Sequence, residues 1–217
     1  MNRLMKNKGY ILITCIITLL PMLVGIYLWP QLPDKMATHF GIDNVPDGFS
    51  SKGFTVFGLP LILLLVHIIC AFVTLLDPKG KGINKKFLRI ILVFCPMTSI
   101  FCGITFYGYI IKPDINIDLL VNLFCGIIFI IIGNYLPKCR QNYTVGIKIP
   151  WTLDSEDNWS RTHRLAGWVW VLCGLFFIMN IFVNFGGWIY CFTIGIMVIV
   201  PVGYSFLYYL KHNGTTK

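Results

Sequence analysis

Six long apolar blocks are the feature that most restricts what this chain can fold into. They lie near residues 10–29, 54–76, 89–111, 119–136, 165–185 and 188–210. An α-helix rises 1.5 Å per residue, so about 20 apolar residues cross the roughly 30 Å hydrocarbon layer of a bilayer. Blocks of this length without strict alternation favour helices over barrel strands, because a helix satisfies its own backbone in lipid. The sequence therefore predicts an all-α membrane protein, a bundle of six transmembrane helices.

The charged residues are few and unevenly placed. The chain has 217 residues, 56% hydrophobic and only 12% charged, with a net charge of +9. If both termini are cytoplasmic, Lys35, Lys52 and Lys112 are the only ones of the 18 Lys and Arg residues that face outward. Such a bias in short loops predicts that orientation by the positive-inside rule. The basic charge thus indicates topology and an attraction to anionic membrane lipids, and it does not indicate direct contact with nucleic acid.

The loops divide the predicted bundle into two parts. Residues 1–88 form a predicted N-terminal two-span unit with a turn-rich external loop at 30–52. Residues 89–217 form a predicted four-span unit with a cytoplasmic motif loop at 137–164. The first apolar run ends in "YLWPQLP" and not in a small-residue cleavage site, so we expect a retained helix and not a signal peptide. The eight cysteines form no CxxC pair and avoid the external loops, so no disulfide framework, metal site or cofactor is predicted.

The motif loop contains the stretch "NYTVGIKIPWTLDSEDNWSRTHR", which is both polar and aromatic. Asp154 is expected to cap a helix, and Asp157 precedes Arg161 by four residues, the favourable order for an ion pair on a helix surface. Trp151 and Trp159 are expected to anchor this helix at the inner headgroups. Composition alone therefore predicts a helix that lies at the membrane surface and runs into the fifth span.

Several motifs in this region resemble those of the SdpI family of bacterial membrane proteins. The matching pieces are "GNYLPKCRQN" at the end of the fourth block, "GIKIPWTL", and "WSRTHRLAG" leading into the fifth block. The stretch "LPDKMATHFGIDNVPDGFSSKG" is similar to an external loop in the N-terminal half of the same family. Two residues there depart from the common pattern, Ala37 in place of a proline and Asn44 in place of a glycine. Asn tolerates a left-handed turn better than most residues, so the turn is expected to form.

The resemblance implies an immunity protein of the bacterial plasma membrane that protects the producing cell from a secreted membrane-active peptide toxin. It also implies signalling, in which a cytoplasmic autorepressor is held at the membrane, and it implies no enzymatic activity. A partner-binding surface is then expected at the cytoplasmic motif, formed by Asn134, Trp151, Trp159, Arg161, His163, Arg164 and Gly167. The alternative is that positive-inside charge and an aromatic belt explain these residues without a partner.

Polar residues elsewhere give two further candidate sites. In the external loop, His39, Asp43 and Asp47 are candidates for binding the toxin, although Asp and Asn beside Gly and Pro are also typical of turns. His67 and Asn122 lie within apolar blocks, where a polar side chain is a functional candidate. A neutral His or Asn can equally be satisfied by an interhelical hydrogen bond.

Two other function classes remain open from the sequence. An ion-coupled transporter or toxin exporter needs a polar path, for which His67 and Asn122 are the available residues. A membrane enzyme needs a base that faces an orienting acid. Asp157 and His163 are six residues apart on a helix, and no Ser or Cys nucleophile motif accompanies them. The sequence therefore favours a protein without catalysis.

Overall fold

The computed structural model describes residues 2–41, 44–79 and 85–213, and long helices dominate it. The helices are α1 (Asn2–Tyr27), α2 (Leu59–Leu76), α3 (Lys85–Ile111), α4 (Ile117–Tyr135), α5 (Pro150–Asp154), α6 (Glu156–Val183) and α7 (Trp188–Asn213). Within the described residues, six helical stretches are long and apolar enough to cross a membrane: Met5–Tyr27, Phe54–Leu76, Lys85–Ile111, Ile117–Lys138, Glu156–Val183 and Trp188–His212. The prediction of six transmembrane helices is confirmed. The predicted orientation of the termini stays a prediction.

The segment predicted as a turn-rich loop contains a β-hairpin. Strands β1 (Lys35–Phe40) and β2 (Pro46–Ser51) pair antiparallel, and the register shifts on either side of His39. The sequence predicted turns in this loop but not the two strands, because the strands are short and the register shifts disturb the alternation that would reveal them. Asn44, with φ of 64°, adopts the left-handed conformation expected at the turn.

Contacts divide the chain into two compact units. The first comprises Met1–Leu76 and Leu88–Leu120, and the second comprises Asp77–Phe87 and Val121–Lys217. The connection between α2 and α3 therefore belongs to the second unit, although both of its neighbouring helices belong to the first. The division at residue 88 into a two-span and a four-span unit stays a prediction.

In the first unit the hairpin packs on the helices through a buried apolar cluster. Met36 of β1 is fully buried with Leu32, Val56 and Tyr107. A Cβ atom at Gly25 of α1 would lie 2.5 Å from the Tyr107 hydroxyl. Only glycine leaves room for this approach, so the sequence of α1 is adapted to the cluster that seats the hairpin.

In the second unit α4 and α6 approach each other along four glycines. A Cβ at Gly133 would lie 2.8 Å from the carbonyl oxygen of Gly167, and a Cβ at Gly174 would lie 2.7 Å from the carbonyl oxygen of Gly126. We call these four residues the glycine seam. Small residues allow helix backbones to pack closely in membranes, where lipid tails are as apolar as Leu side chains. The seam brings together α4 and α6 at the two ends of residues 137–164, which we call the motif segment and whose last part is the start of α6.

Candidate functional site

The motif segment folds around the signature loop, residues 139–149, which follows a 3₁₀ turn at the end of α4. The loop has no helix or strand, so its backbone groups need other partners. Asn142 is fully buried and supplies several of them. Its amide NH₂ donates to the carbonyls of Arg140 (2.9 Å) and Val145 (3.0 Å), and its carbonyl oxygen accepts from the backbone N–H groups of Thr144 (3.0 Å) and Val145 (2.7 Å). One side chain thus fixes the turn at 140–145.

A carboxylate from the connection after α2 also holds the signature loop. Asp77 is only 8% exposed. Its Oδ2 accepts from the backbone N–H of Tyr143 and from the hydroxyl of Thr144, both at 2.9 Å, and its Oδ1 accepts from the backbone N–H of Lys79 at 2.8 Å. Burying a carboxylate costs free energy unless hydrogen bonds replace its water, and three donors do so here.

Two aromatic side chains of α6 form a platform under the loop. The rings of Trp159 and His163 stack with centroids 4.0 Å apart, and both side chains are fully buried. The indole N–H of Trp159 donates to the carbonyl of Cys139 (2.8 Å), and the backbone N–H of Ile147 donates to Nε2 of His163 (3.0 Å). Nδ1 of His163 lies 2.8 Å from the carbonyl of Trp159, so Nδ1 carries the proton and the imidazole is neutral. The prediction that Trp159 anchors the helix at the headgroups was wrong, because the signature loop covers the ring.

Gly146 allows the loop to touch this platform. Its φ of +121° is a conformation that side chains disfavour, and a Cβ there would lie 2.4 Å from Nε2 of His163 and 3.0 Å from the ring of Trp159. The first residue of the motif "GIKIPWTL" is therefore required by both conformation and packing.

The end of the loop is tied to α5. Thr152 is fully buried, and its hydroxyl donates to the carbonyl of Ile147 (2.8 Å) and accepts from the backbone N–H of Ile149 (3.1 Å). The side-chain amide of Gln141 donates to the carbonyls of Thr152 (2.9 Å) and Leu153 (2.8 Å). The loop and α5 therefore form one hydrogen-bonded body.

Trp151 packs α5 against α7. Its ring centroid lies 5.3 Å from that of Phe206 and 6.0 Å from that of Tyr209. Its indole N–H is buried and has no hydrogen-bond partner among the described residues. Much of this ring therefore contacts other residues of the protein and not the lipid headgroups that the sequence analysis expected.

α6 begins later than the sequence predicts. Ser155 caps it by accepting from the backbone N–H of Asn158 at 3.2 Å. The prediction of Asp154 as the cap was wrong because Asp154 ends the separate helix α5, whose first residue is Pro150. Proline is well placed there, since the first turn of a helix leaves its N–H groups unpaired in any case.

The predicted partner-binding residues divide into exposed and buried side chains. Arg161 is exposed and its Nε lies 3.0 and 3.1 Å from the carboxylate oxygens of Asp157, which confirms the predicted pair. Arg164 is exposed and has no partner in the part of the chain that the structure describes. Asn134 is exposed, while Gly167 is buried with its Cα facing the ring of Pro137. The exposed residues are free to contact another molecule, whereas the buried ones shape the loop; partner binding stays a prediction for all of them.

The hairpin carries the predicted toxin-binding residues. Nδ1 of His39 contacts a carboxylate oxygen of Asp47 across the hairpin, and the two side chains are 74% and 54% exposed. Phe49 is exposed on the same strand as Asp47. Asp43 lies outside the described residues. Among the residues that are described, no group of three His, Cys, Asp or Glu side chains could hold a metal ion. Toxin binding at the hairpin stays a prediction.

His67 and Asn122 each have partners within their own unit. Nε2 of His67 lies 2.8 Å from the hydroxyl of Thr14, and the imidazole is buried. Asn122 donates to the hydroxyl of Tyr190 (2.7 Å) and accepts from the amide of Asn180 (3.2 Å). These contacts fit the alternative in which both residues join helices by hydrogen bonds.

The thiol of Cys139, the first residue of the signature loop, is buried. Its side chain is 3% exposed, and burial raises the pKa of its thiol to about 11, although the amide of Asn142, which donates to the sulfur at 3.1 Å, acts in the opposite direction. The thiolate is the reactive form, so the raised pKa and the burial both disfavour modification of this thiol at neutral pH.

Sequence reasoning missed the residues that hold the loop: Asp77, Gln141, Asn142 and Thr152. Asn142 begins "NYT", which matches a glycosylation pattern, but the same residues are typical of an Asx turn. Asp77 begins "DPK", which also indicates a turn. No sequence pattern joins Asp77 to Tyr143, because the two residues lie 66 positions apart.

Comparison with known proteins places these features in a family. The profile of the SdpI/YfhL protein family matches residues 138–205, and that of a domain of unknown function (DUF1648) matches residues 16–64. The chain is also 30% identical over 215 residues to the immunity protein SdpI of Bacillus subtilis (strain 168), across 94% of this chain and 98% of that protein. The chain belongs to the SdpI/YfhL family.

The SdpI/YfhL match and the site geometry coincide. The matched range includes the whole signature loop, α5, all of α6 and most of α7. The second match contains the hairpin with parts of α1 and α2. No solved structure matches the chain significantly. Family membership and six candidate spans make the chain a multi-pass bacterial membrane protein.

Proposed function

We propose that this protein protects the cell that produces it from a secreted membrane-active peptide toxin, without catalysis. The observation that carries the proposal is the similarity to an immunity protein over nearly the full length of both chains. The match is not confined to the apolar spans, which share composition with many membrane proteins. It extends over the hairpin and the motif segment, where the specific polar residues lie.

The hairpin is the proposed toxin-binding surface. It presents the exposed His39–Asp47 pair next to the exposed ring of Phe49. Peptide-binding surfaces commonly combine an aromatic contact with polar groups that fix orientation. This combination suits a peptide that carries both apolar and polar side chains.

The motif segment is the proposed site for a cytoplasmic partner, such as a repressor protein held at the membrane for signalling. Arg164 is the sharpest candidate, because its guanidinium is exposed and unpaired within the described residues. A guanidinium can bind a carboxylate through two parallel hydrogen bonds. Arg161 is less available, since it already pairs with Asp157.

The test is survival of a toxin-sensitive bacterium that expresses this protein and is challenged with a sporulation-delaying-type peptide toxin. Immunoblotting of membranes would first establish equal accumulation of every variant. We expect wild type to protect and His39→Ala to lose protection. Arg164→Ala should fail to retain the repressor at the membrane, which co-purification of the repressor with the membrane protein measures. Lys35→Ala, which removes an exposed side chain of the same hairpin, is the matched control and should protect. Survival no better than that of cells with an empty vector would contradict the proposal.

Ion-coupled transport or toxin export is the alternative, and the geometry gives it less support. His67 and Asn122 were its candidate path, and each is hydrogen-bonded within its own unit. Proton-coupled flux into liposomes that His67→Ala abolishes would favour transport over immunity by binding.

A further inference from the structure

The proposed function leaves one buried charged group unused, the carboxylate of Asp77. Of the Asp and Glu side chains within the described ranges, Asp77 is the buried one. We propose that Asp77 is a positioning residue that sets the conformation of the signature loop and thereby of the surface offered to a cytoplasmic partner. The purpose of that surface rests on the proposed function, whereas the positioning rests on geometry alone.

The carboxylate accepts hydrogen bonds from the middle of the loop, where no helix or strand provides backbone partners. The backbone N–H of Tyr143 and the hydroxyl of Thr144 both donate to Oδ2 at 2.9 Å. Asn142 satisfies the neighbouring N–H groups of Thr144 and Val145 but not that of Tyr143. Removing the carboxylate would therefore leave the backbone N–H of Tyr143 without its partner and destabilise this conformation of the loop.

Lys79 extends the same contact. Its backbone N–H donates to Oδ1 of Asp77, and its ammonium donates to the side-chain oxygen of Gln141 at 3.0 Å. The ammonium also lies 5.0 Å above the ring of Tyr143. The NH₂ of Gln141 in turn binds α5. Residues 77–79 thus contact the loop at the backbone and ring of Tyr143 and at Gln141, which joins the loop to α5.

The part of the loop that Asp77 and Lys79 hold carries exposed side chains of the kinds that are frequent in binding surfaces. Tyr143 is 51% exposed, and Arg140 is exposed, with no partner for its guanidinium in the described part of the chain. Tyr and Arg side chains carry a large share of the binding energy in many interfaces. Asp77 holds the backbone of Tyr143 and so determines where its ring is presented.

The experiment measures how fast N-ethylmaleimide modifies each cysteine of the full-length protein in native membranes, by mass spectrometry of its peptides. Cys139 is the buried first residue of the loop, and Cys95 and Cys173 are buried elsewhere in the protein. We expect Asp77→Ala to accelerate modification of Cys139 at least tenfold and to leave Cys95 and Cys173 unchanged. Asp77→Asn, which keeps one acceptor oxygen, should give an intermediate rate. Asp34→Ala removes an acid whose side chain is fully exposed and should match wild type.

Two results would overturn the proposal. One is an unchanged rate at Cys139 in Asp77→Ala. The other is equal acceleration at Cys139, Cys95 and Cys173, which would make Asp77 a residue that supports the whole fold and not the loop. The labelling result does not depend on any toxin. If Cys139 responds as expected and the protein fails to protect cells, the proposed function fails while the positioning role stands.

Discussion

At the scale of single residues, Gly146 most clearly links sequence to loop geometry. Gly146→Ala would force a side chain into a φ of +121° and would place its Cβ 2.4 Å from Nε2 of His163. We expect a loss of about 2–6 kcal/mol in the free energy of unfolding, since strained backbone and overpacking each cost about 1–3 kcal/mol. Thermal unfolding in detergent micelles, followed by circular dichroism, measures the effect.

The matched control for this substitution is Gly195→Ala in α7. A Cβ at Gly195 meets nothing within 4 Å, so the protein should keep its unfolding temperature or gain slightly, because Ala favours helix over Gly. Equal unfolding temperatures for Gly146→Ala and wild type would show that the loop does not rest on the Trp159–His163 platform.

At the scale of elements, the glycine seam holds α4 against α6. A Cβ at Gly167 would lie 2.6 Å from the ring of Pro137 and 2.8 Å from the carbonyl oxygen of Gly133. We expect Gly167→Ala to lower the free energy of unfolding by about 1–3 kcal/mol through overpacking, and to impair partner binding only as far as it disturbs the fold. Arg164→Ala, three residues away and exposed, should leave stability unchanged.

Gly167→Ala and Arg164→Ala together distinguish a packing role from a partner-binding role at neighbouring residues of the family motif. Unfolding temperature and repressor capture should be measured for both variants in the same membranes. If the Gly167→Ala protein has wild-type stability but no longer captures the repressor, Gly167 contributes to partner binding and its packing role is contradicted.

Elements differ in how far the sequence could predict them. The six spans follow from block length, because lipid leaves an apolar chain few alternatives to helix. The hairpin and α5 were not predicted, since strands of six residues and a helix of five are too short to show a clear periodicity of apolar residues. The Asp157–Arg161 pair was predictable because its geometry is local to one helix.

At the scale of the whole molecule, the contacts that matter most for the candidate site join distant parts of the sequence. Trp159 was predicted to lie at the headgroups because aromatic and basic residues together are typical of that region, and His163 was predicted at a partner-binding surface from the family resemblance. They are buried because a loop that begins 20 residues earlier in the chain covers them, as the Trp159–Cys139 hydrogen bond shows. Local periodicity carries no information about such coverage. The sequence therefore showed where the family motifs lie, but it could not show that Trp159 and His163 are buried within that segment.

The orientation of the chain in the membrane is the remaining whole-molecule prediction. All Lys and Arg residues except Lys35, Lys52 and Lys112 lie in segments that this orientation places inside, so we expect the hairpin outside and the motif segment in the cytoplasm. Asp34→Cys and Asp154→Cys each replace an exposed acid, one next to the hairpin and one in α5. A membrane-impermeant maleimide should modify the cysteine at position 34 in intact cells, and the cysteine at position 154 only after the membrane is opened. The reverse pattern would place the motif segment outside and would exclude a cytoplasmic partner for Arg164.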